Sequence, residues 1–399
     1  MSSPLNNLKI LDFSTLLPGP YATMMLADLG ADVLRIEAPN RPDLTRLLPP
    51  FDENGVSAGH GMLNRSKRSL GLNLKAEGSV EIVKKLIVEQ GYDIVVEQSR
   101  PGVMDRLGVG FEALTAVCPH LIYCSLTGYG QDGPLRDRAG HDINYLALSG
   151  MLSYYGRKSQ SAPPPLPTQV ADIGAGSLHM VIGLLSAVIR RTATSEGGHV
   201  DISMYDGSLA WNGLAASAAL VGDEAIGPEE TTLNGGTFYD LYETKDGKLL
   251  SVGSLEPKFW MQFCTAIERP DLVNKGLNFD IAHQQSFKHE IREVIQTKTL
   301  AEWAEIFAAY DACVEPVLSM GESLQHPHAQ ARHMVVDVPL PSGNLQKQVG
   351  SPIKMSNHQP VYQHVGAKLG SDTAVVLQSL GYAQAEIEQL EADGVVASA

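Results

Sequence analysis

The sequence predicts an α/β protein with a parallel sheet and a second, smaller unit, and three observations predict it. Apolar strand-like runs alternate with helical stretches through the first 150 residues, the texture turns polar and rich in turn formers at the GDEAIGPEETTLNGG stretch near Asp223, and strand-like segments return beyond His333. Leu8–Phe13 reads as a strand, Tyr21–Gly30 as a helix closed by Gly30, and Val33–Glu37 as a second strand, which makes one βαβ unit. Strands are expected at Leu70–Leu74, Asp93–Glu97 and Leu121–Leu126, with helices at Ala76–Gln90 and Phe111–Cys118 between them. Asp142–Leu152, Asp172–Arg191 and Tyr205–Val221 read as helices, and the last two, rich in Ala, Gly and Leu, are expected to be buried against the sheet. The smaller unit is expected to carry strands at Phe238–Glu243 and Leu249–Val252 and helices at Pro257–Glu268 and Leu300–Tyr310, and an amphipathic helix starts at Asp372. The expected boundaries are 1–222, 223–330 and 331–399.

Composition narrows the function. With 30 basic and 45 acidic side chains among 399 residues the net charge is −15, which argues against nucleic acid as a partner. The longest unbroken apolar run, Met180–Ile189, is about half of what a bilayer requires, so no membrane span is expected. The amino end does not read as a signal peptide and the carboxyl end carries no peroxisomal tripeptide. Cys118, Cys124, Cys264 and Cys313 form no CxxC pair, and the histidines form no HExxH, so a reducing cytoplasm and no metal are expected.

Local motifs leave alternatives open. Gly128-Tyr129-Gly130-Gln131-Asp132-Gly133 has glycine spacing for a dinucleotide, but Pro134 and a charged stretch follow where a helix should open, so a turn cluster is the better reading. Neither a GxSxG elbow nor a Walker loop is present. Arg65, Lys67 and Arg68 precede a strand and Arg100 follows one, positions that suit either a phosphorylated small molecule or a solvated turn. His141 opens GHDINYLALSG. Asp172 opens a glycine-rich apolar helix and Glu256 precedes Pro257 at a helix start; both positions would be ordinary for capping.

The segment GHDINYLALSG resembles the α-methylacyl-CoA racemase branch of the family III CoA-transferase (CaiB/BaiF) superfamily. The opening LKILDFSTLLPGPYATMMLADLGADVLRIEAP is similar to that family's first βαβ unit and NRSKRSLGLNLK to its CoA-binding loop. SRPGVMDRLGVG, LIYCSLTGYGQDGP, ADIGAG, GSLEPKFW and DACVEPVL follow in order, so the resemblance runs from about Leu8 to Val317. It implies a Rossmann-like large domain without dinucleotide, a smaller α+β domain, a chain that returns to the large domain, and an interlocked homodimer whose active site lies where the domains meet.

The resemblance further implies that an acyl-CoA thioester is the substrate, with no other cofactor, and that His141 and Asp172 are the two groups that move the α-proton, with Glu256 orienting His141. It places CoA along Arg65, Lys67, Arg68, Leu72, Asn73, Leu74 and Lys75 and at Arg100, with Gly140, Asp142, Ile143, Asn144 and Tyr145 near the pantetheine. A backbone N–H at the helix start near Asp172 is the expected donor to an enolate oxygen. Where similar racemases carry a basic residue after the second strand this chain has Ala38, which shifts the phosphates to Arg41, Arg65 or Arg100; and Asn234-Gly235-Gly236-Thr237-Phe238-Tyr239 departs from the racemase-like DGGAPFY. Inversion of an acidic α-carbon needs a base on one face and an acid on the other. The competing activity is a CoA-transferase in which Asp172 forms an acyl anhydride, and the third reading is a non-catalytic acyl-CoA binder.

Overall fold

Seven strands pair into one sheet in the computed structural model, which describes residues 3–222, 226–278 and 280–399. The expected first βαβ unit forms as β1 (Lys9–Asp12), a helix over Pro18–Asp28 and β2 (Asp32–Glu37). The helix starts three residues before its expected position because Pro18 and Pro20 fit a first turn, where their missing N–H groups cost nothing. β3 (Arg68–Leu72), β4 (Ile94–Glu97), β5 (Ile122–Thr127) and β6 (Gly198–Ser203) continue the sheet, and all six strands run parallel. β6 is an addition to the sequence reading: its odd positions, Asp201 among them, are polar and its burial alternates, so no apolar run marks it.

The chain contacts divide into two units. The first comprises 1–146, 167–211 and 327–399, the second 147–166 and 212–326. The division therefore falls at Trp211 and His326 rather than at the expected 222 and 330; Asp223 itself lies outside the described residues. In the first unit the core is aliphatic: Leu11, Leu34, Leu70, Val95 and Leu121 from the strands and their ends meet Ile82, Leu86 and Leu377 from helices.

The second unit carries an antiparallel sheet of β7 (Asp240–Glu243), β8 (Leu249–Val252) and β9 (Val314–Pro316). Its core is aromatic, with Phe238 stacked on Trp260 at 4.1 Å and Phe263 beside Phe307 at 5.9 Å. The helix Ile281–Ile295 is a further addition to the sequence reading; its polar face is extensive, and only Phe287, Ile291 and Ile295 mark the buried apolar stripe. The return segment forms the hairpin β10 (Val335–Pro339) and β11 (Leu345–Val349), and β12 (Val396–Ala397) pairs antiparallel with β3, closing one edge of the large sheet.

Two expectations about the apolar helices change. The run Met180–Ile189 belongs to a helical stretch of 24 residues, Ala171–Thr194, which by length and composition alone is apolar enough to cross a membrane. Its small residues pack on the sheet: a side chain at Gly176 would meet Leu126 and Met204, and one at Gly183 would meet Val200. Tyr205–Val221, expected as one buried helix, is two, Met204–Trp211 and Gly213–Gly222. The second buries no residue within the chain, with Leu214, Leu220 and Val221 each more than 80% exposed.

Candidate active site

The order of strands across the large sheet is β12-β3-β2-β1-β4-β5-β6, so the chain fills one side of β1 first and then the other. Loops leaving β1 and β4 at their carboxyl ends part in opposite directions, and such a switch point opens a crevice. A cleft of about 380 Å³ lies there, entirely within the first unit. Leu16 and Pro18 after β1, Gln98 to Pro101 after β4, and Thr127 and Gly128 at the end of β5 form its walls, and His141 and Asp172 both line it.

His141 stands just ahead of the helix Asp142–Leu148. The Asn144 side chain accepts from the His141 N–H at 3.0 Å, and the His141 carbonyl accepts from Asn144 N at 2.7 Å, so the turn holds the exposed imidazole at the rim. Tyr145 donates its hydroxyl to Gly140 O at 2.6 Å. Its ring lies so close to the backbone that a β-carbon at Gly128 would come within 2.7 Å, and one at Gly140 within 2.6 Å. The glycine cluster after β5 thus serves the passage of an aromatic ring. Gly130 and Gly133 have positive φ, as the turn reading expects.

Asp172 sits in the opening of an eight-residue π-helical stretch, Ala171–Leu178, a rare geometry often found at functional sites. Burial pushes its carboxyl up to about 6; the negative Asp142 adds to the rise, and His141 opposes it. A half-buried acid near neutrality beside an imidazole is the combination that proton transfer requires. The Asp172 N–H is taken by Asp142 Oδ1 at 3.0 Å. The expected enolate donor near Asp172 is therefore already engaged; in the first turn of the helix Asp142–Leu148 the N–H groups of Asn144 and Tyr145 both donate to His141 O, which leaves those of Asp142 and Ile143 at this corner.

The cleft is cationic in a chain of charge −15: Arg100, Arg136 and Arg138 line it, all exposed. Arg136 and Arg138 are additions to the residues expected from sequence. Their signal is the charged LRDRAG run between the glycine turn and His141, which in sequence speaks only against a dinucleotide.

A family model for CoA-transferase family III matches residues 5–373. The chain belongs to that family. It is 34% identical to an α-methylacyl-CoA racemase of Mus musculus over 99% of this chain and 98% of that protein. It is also 33% identical to a succinyl-CoA:mesaconate CoA-transferase of Haloarcula marismortui over 89% of this chain and 91% of that protein. Among solved structures, a CaiB/BaiF family protein from Brucella suis superposes with a TM-score of 0.81 at 26% identity, covering 95% of this chain and all of that one.

The family III chain does not place every expected ligand residue in the cleft. Arg100, Gly140, Asn144 and Tyr145 line it with His141 and Asp172, and Asp142 contacts Asp172 from beside it, while Ile143 is about half exposed on the same helix. Arg65 and Lys67 are corrections: each is about 1% exposed and ion-paired, Arg65 with Asp28 at 2.6 Å and Lys67 with Asp12 at 3.3 Å, so neither presents charge to a phosphate. Arg68 pairs with Asp32 at 2.9 Å, and Leu72 is buried in β3 opposite Val396. Asn73, Leu74 and Lys75 follow β3 at the carboxyl edge of the sheet, outside the cleft; Lys75 is exposed. Glu256 belongs to the second unit, at the start of the helix Pro257–Ala266, where its side chain makes no capping hydrogen bond.

A smaller cavity of about 40 Å³ lies next to Arg100, lined by Glu97, Ser125, Gln131 and His199. Burial pushes the Glu97 carboxyl up to about 7, against hydrogen bonds from Ser125 and from Ser99 N, with Asp105 and Asp201 adding to the rise. A carboxyl raised on folding stabilises the fold fully below its unfolded value near 4.5. That contribution is lost as pH climbs through about 7. Glu97→Gln is therefore expected to raise the melting temperature more at pH 8 than at pH 5, by up to about 3 kcal/mol of added stability at the higher pH. An equal gain at both pH values would show that Glu97 does not titrate in this range.

Proposed function

We propose that this family III member inverts the α-carbon of 2-methylacyl-CoA thioesters. One of His141 and Asp172 removes the α-proton, and the C–H electron pair moves into the carbonyl to give an enolate. The other, already protonated, delivers a proton to the opposite face, and the roles exchange for the other epimer. The observation that carries the reading is that an imidazole and a half-buried carboxyl, which burial pushes up to about 6, line one cleft. Likeness to the racemase of Mus musculus supports it. Arg100, Arg136 and Arg138 supply charge for CoA phosphates, and the N–H groups of Asp142 and Ile143, in the first turn of Asp142–Leu148, supply donors for the enolate oxygen. The CoA thioester is the substrate, and the chemistry calls on the chain's own side chains and backbone N–H groups.

A CoA-transferase is the second reading, favoured by likeness to the enzyme of Haloarcula marismortui and by the carboxylate of Asp172 in the cleft. There the carboxylate would attack the thioester carbonyl and CoA thiolate would leave. A homodimer and a cytoplasmic location belong to the proposal. The bare apolar face of Gly213–Gly222 is a surface a second copy would cover, the contribution of Glu256 to His141 rests on the same family resemblance, and buried free thiols at Cys118, Cys124 and Cys264 suit a reducing compartment. The deciding experiment incubates the protein in D₂O with one epimer of a 2-methylacyl-CoA, with and without a carboxylic acid acceptor. Deuterium at the α-carbon without acceptor is expected; CoA movement that depends on the acceptor, with no α-deuterium, would overturn the proposal in favour of transfer.

A further inference from the structure

Asp142 is a second carboxylate beside the cleft, and it spends its oxygens on backbone rather than on a cation. It is half-buried at the first turn of its helix, and its Oδ1 accepts the backbone N–H of Asp172 at 3.0 Å, thirty residues further along the chain. The N–H of Ala171 is a second donor to the same carboxylate. These two N–H groups open the π-helical stretch Ala171–Leu178, whose wide turn leaves its first backbone donors without partners inside the helix. Two carboxylates joined in this way, one through its side chain and the other through its backbone, keep their charges near each other without a proton between them.

We infer that Asp142 is a positioning residue that acts on the reaction through Asp172: it fixes the turn from which the Asp172 carboxyl projects, and its negative charge governs whether that carboxyl carries a proton. The groups around Asp172 leave Asp142 as the acidic neighbour. His141 faces it from the adjoining turn, Tyr145 from the same helix as Asp142, and Arg100, Arg136 and Arg138 from the loops of the cleft. Every other group in that set is neutral or positive, so Asp142 is the one charge there that disfavours an ionised Asp172. Burial of Asp172 works in the same direction, and Asp142 adds a like charge to it.

The catalytic part of this inference rests on the two-base reading above, but its electrostatic part does not, and the test separates them. Asp142→Asn keeps an oxygen that can accept the Asp172 and Ala171 N–H groups and removes only the charge. The Asp172 side chain is titrated by carboxyl-selective ¹³C NMR in the substrate-free protein, wild type against Asp142→Asn, with Asp172→Asn assigning the signal. The acid dissociation constant of Asp172 is expected to rise about tenfold in Asp142→Asn. The acid limb of α-proton exchange is expected to move to lower pH in step. An unchanged Asp172 titration in a folded Asp142→Asn protein overturns the inference, whatever the enzyme catalyses. A shifted titration in a protein whose wild type shows no exchange leaves the inference standing and removes the racemase reading. Asp142→Ala, which also strips the N–H groups of their acceptor, is expected to lose more exchange than Asp142→Asn; equal activity in the two would overturn the positioning half.

Discussion

Asp172→Asn is expected to lower the rate of α-proton exchange by about a thousandfold while leaving acyl-CoA affinity within about twofold, because positioned acid–base groups contribute roughly 10²–10⁴ to such steps. The side chain lines the cleft, half-buried, and its amide replacement fills the same space without a transferable proton. His141→Ala is expected to cost a similar factor, and the double variant little more than either alone, since a base without its partner acid completes no inversion. In wild type the acid limb of kcat/KM is expected near pH 6, where the Asp172 carboxyl takes up its proton, and the limb should vanish in Asp172→Asn. Exchange that survives in His141→Ala, with acyl transfer lost in Asp172→Asn, would assign the cleft to transferase chemistry.

Arg65→Ala is expected to destabilise the protein by about 3–5 kcal/mol, a fall in melting temperature on the order of 10 °C, without a selective loss of CoA binding in whatever protein stays folded. The guanidinium donates Nε to Asp28 Oδ1 at 2.8 Å and Nη2 to Oδ2 at 2.6 Å, donates Nη1 to Val349 O at 2.6 Å, and lies 4.8 Å from the Tyr362 ring. Removing it strands a buried aspartate and frees the return segment from β3's approach. Lys67→Ala should do likewise, because its ammonium bridges Asp12, Thr23, Asn64 and the Pro20 carbonyl with 1% of the side chain exposed. Arg100→Ala and Arg138→Ala form the contrast: exposed and lining the cleft, they should leave the melting temperature unchanged and raise KM for the CoA ester severalfold, more at low salt. A normal melting temperature in Arg65→Ala with weakened CoA binding would return Arg65 to the ligand.

The contrast between these arginines marks the limit of what is legible in the sequence. Strands such as Ile94–Glu97 and Ile122–Thr127 are short, wholly buried and mostly apolar, so their runs stand out, and the order in which they join the sheet follows from parallel βαβ connection. Family resemblance alone pairs His141 with Asp172 in the sequence, and the cleft holds both. A basic cluster, however, looks the same in sequence whether its charges face phosphate or aspartate. Arg65 meets Asp28, thirty-seven residues earlier, and Val349, 284 residues later, and neither pairing leaves a local pattern. The same holds for the Asp142–Asp172 contact and for the bare helix Gly213–Gly222, whose small apolar composition reads as core.

Two-base inversion requires one carbon to lie between two proton-handling groups, and a crystal structure with a non-reactive 2-methylacyl-CoA thioether tests this most directly. The α-carbon is expected between the His141 imidazole and the Asp172 carboxyl, within about 4 Å of each, with the pyrophosphate toward Arg100, Arg136 and Arg138. An analogue whose acyl carbon instead lies over the Asp172 carboxylate, with His141 turned to solvent, would contradict that mechanism.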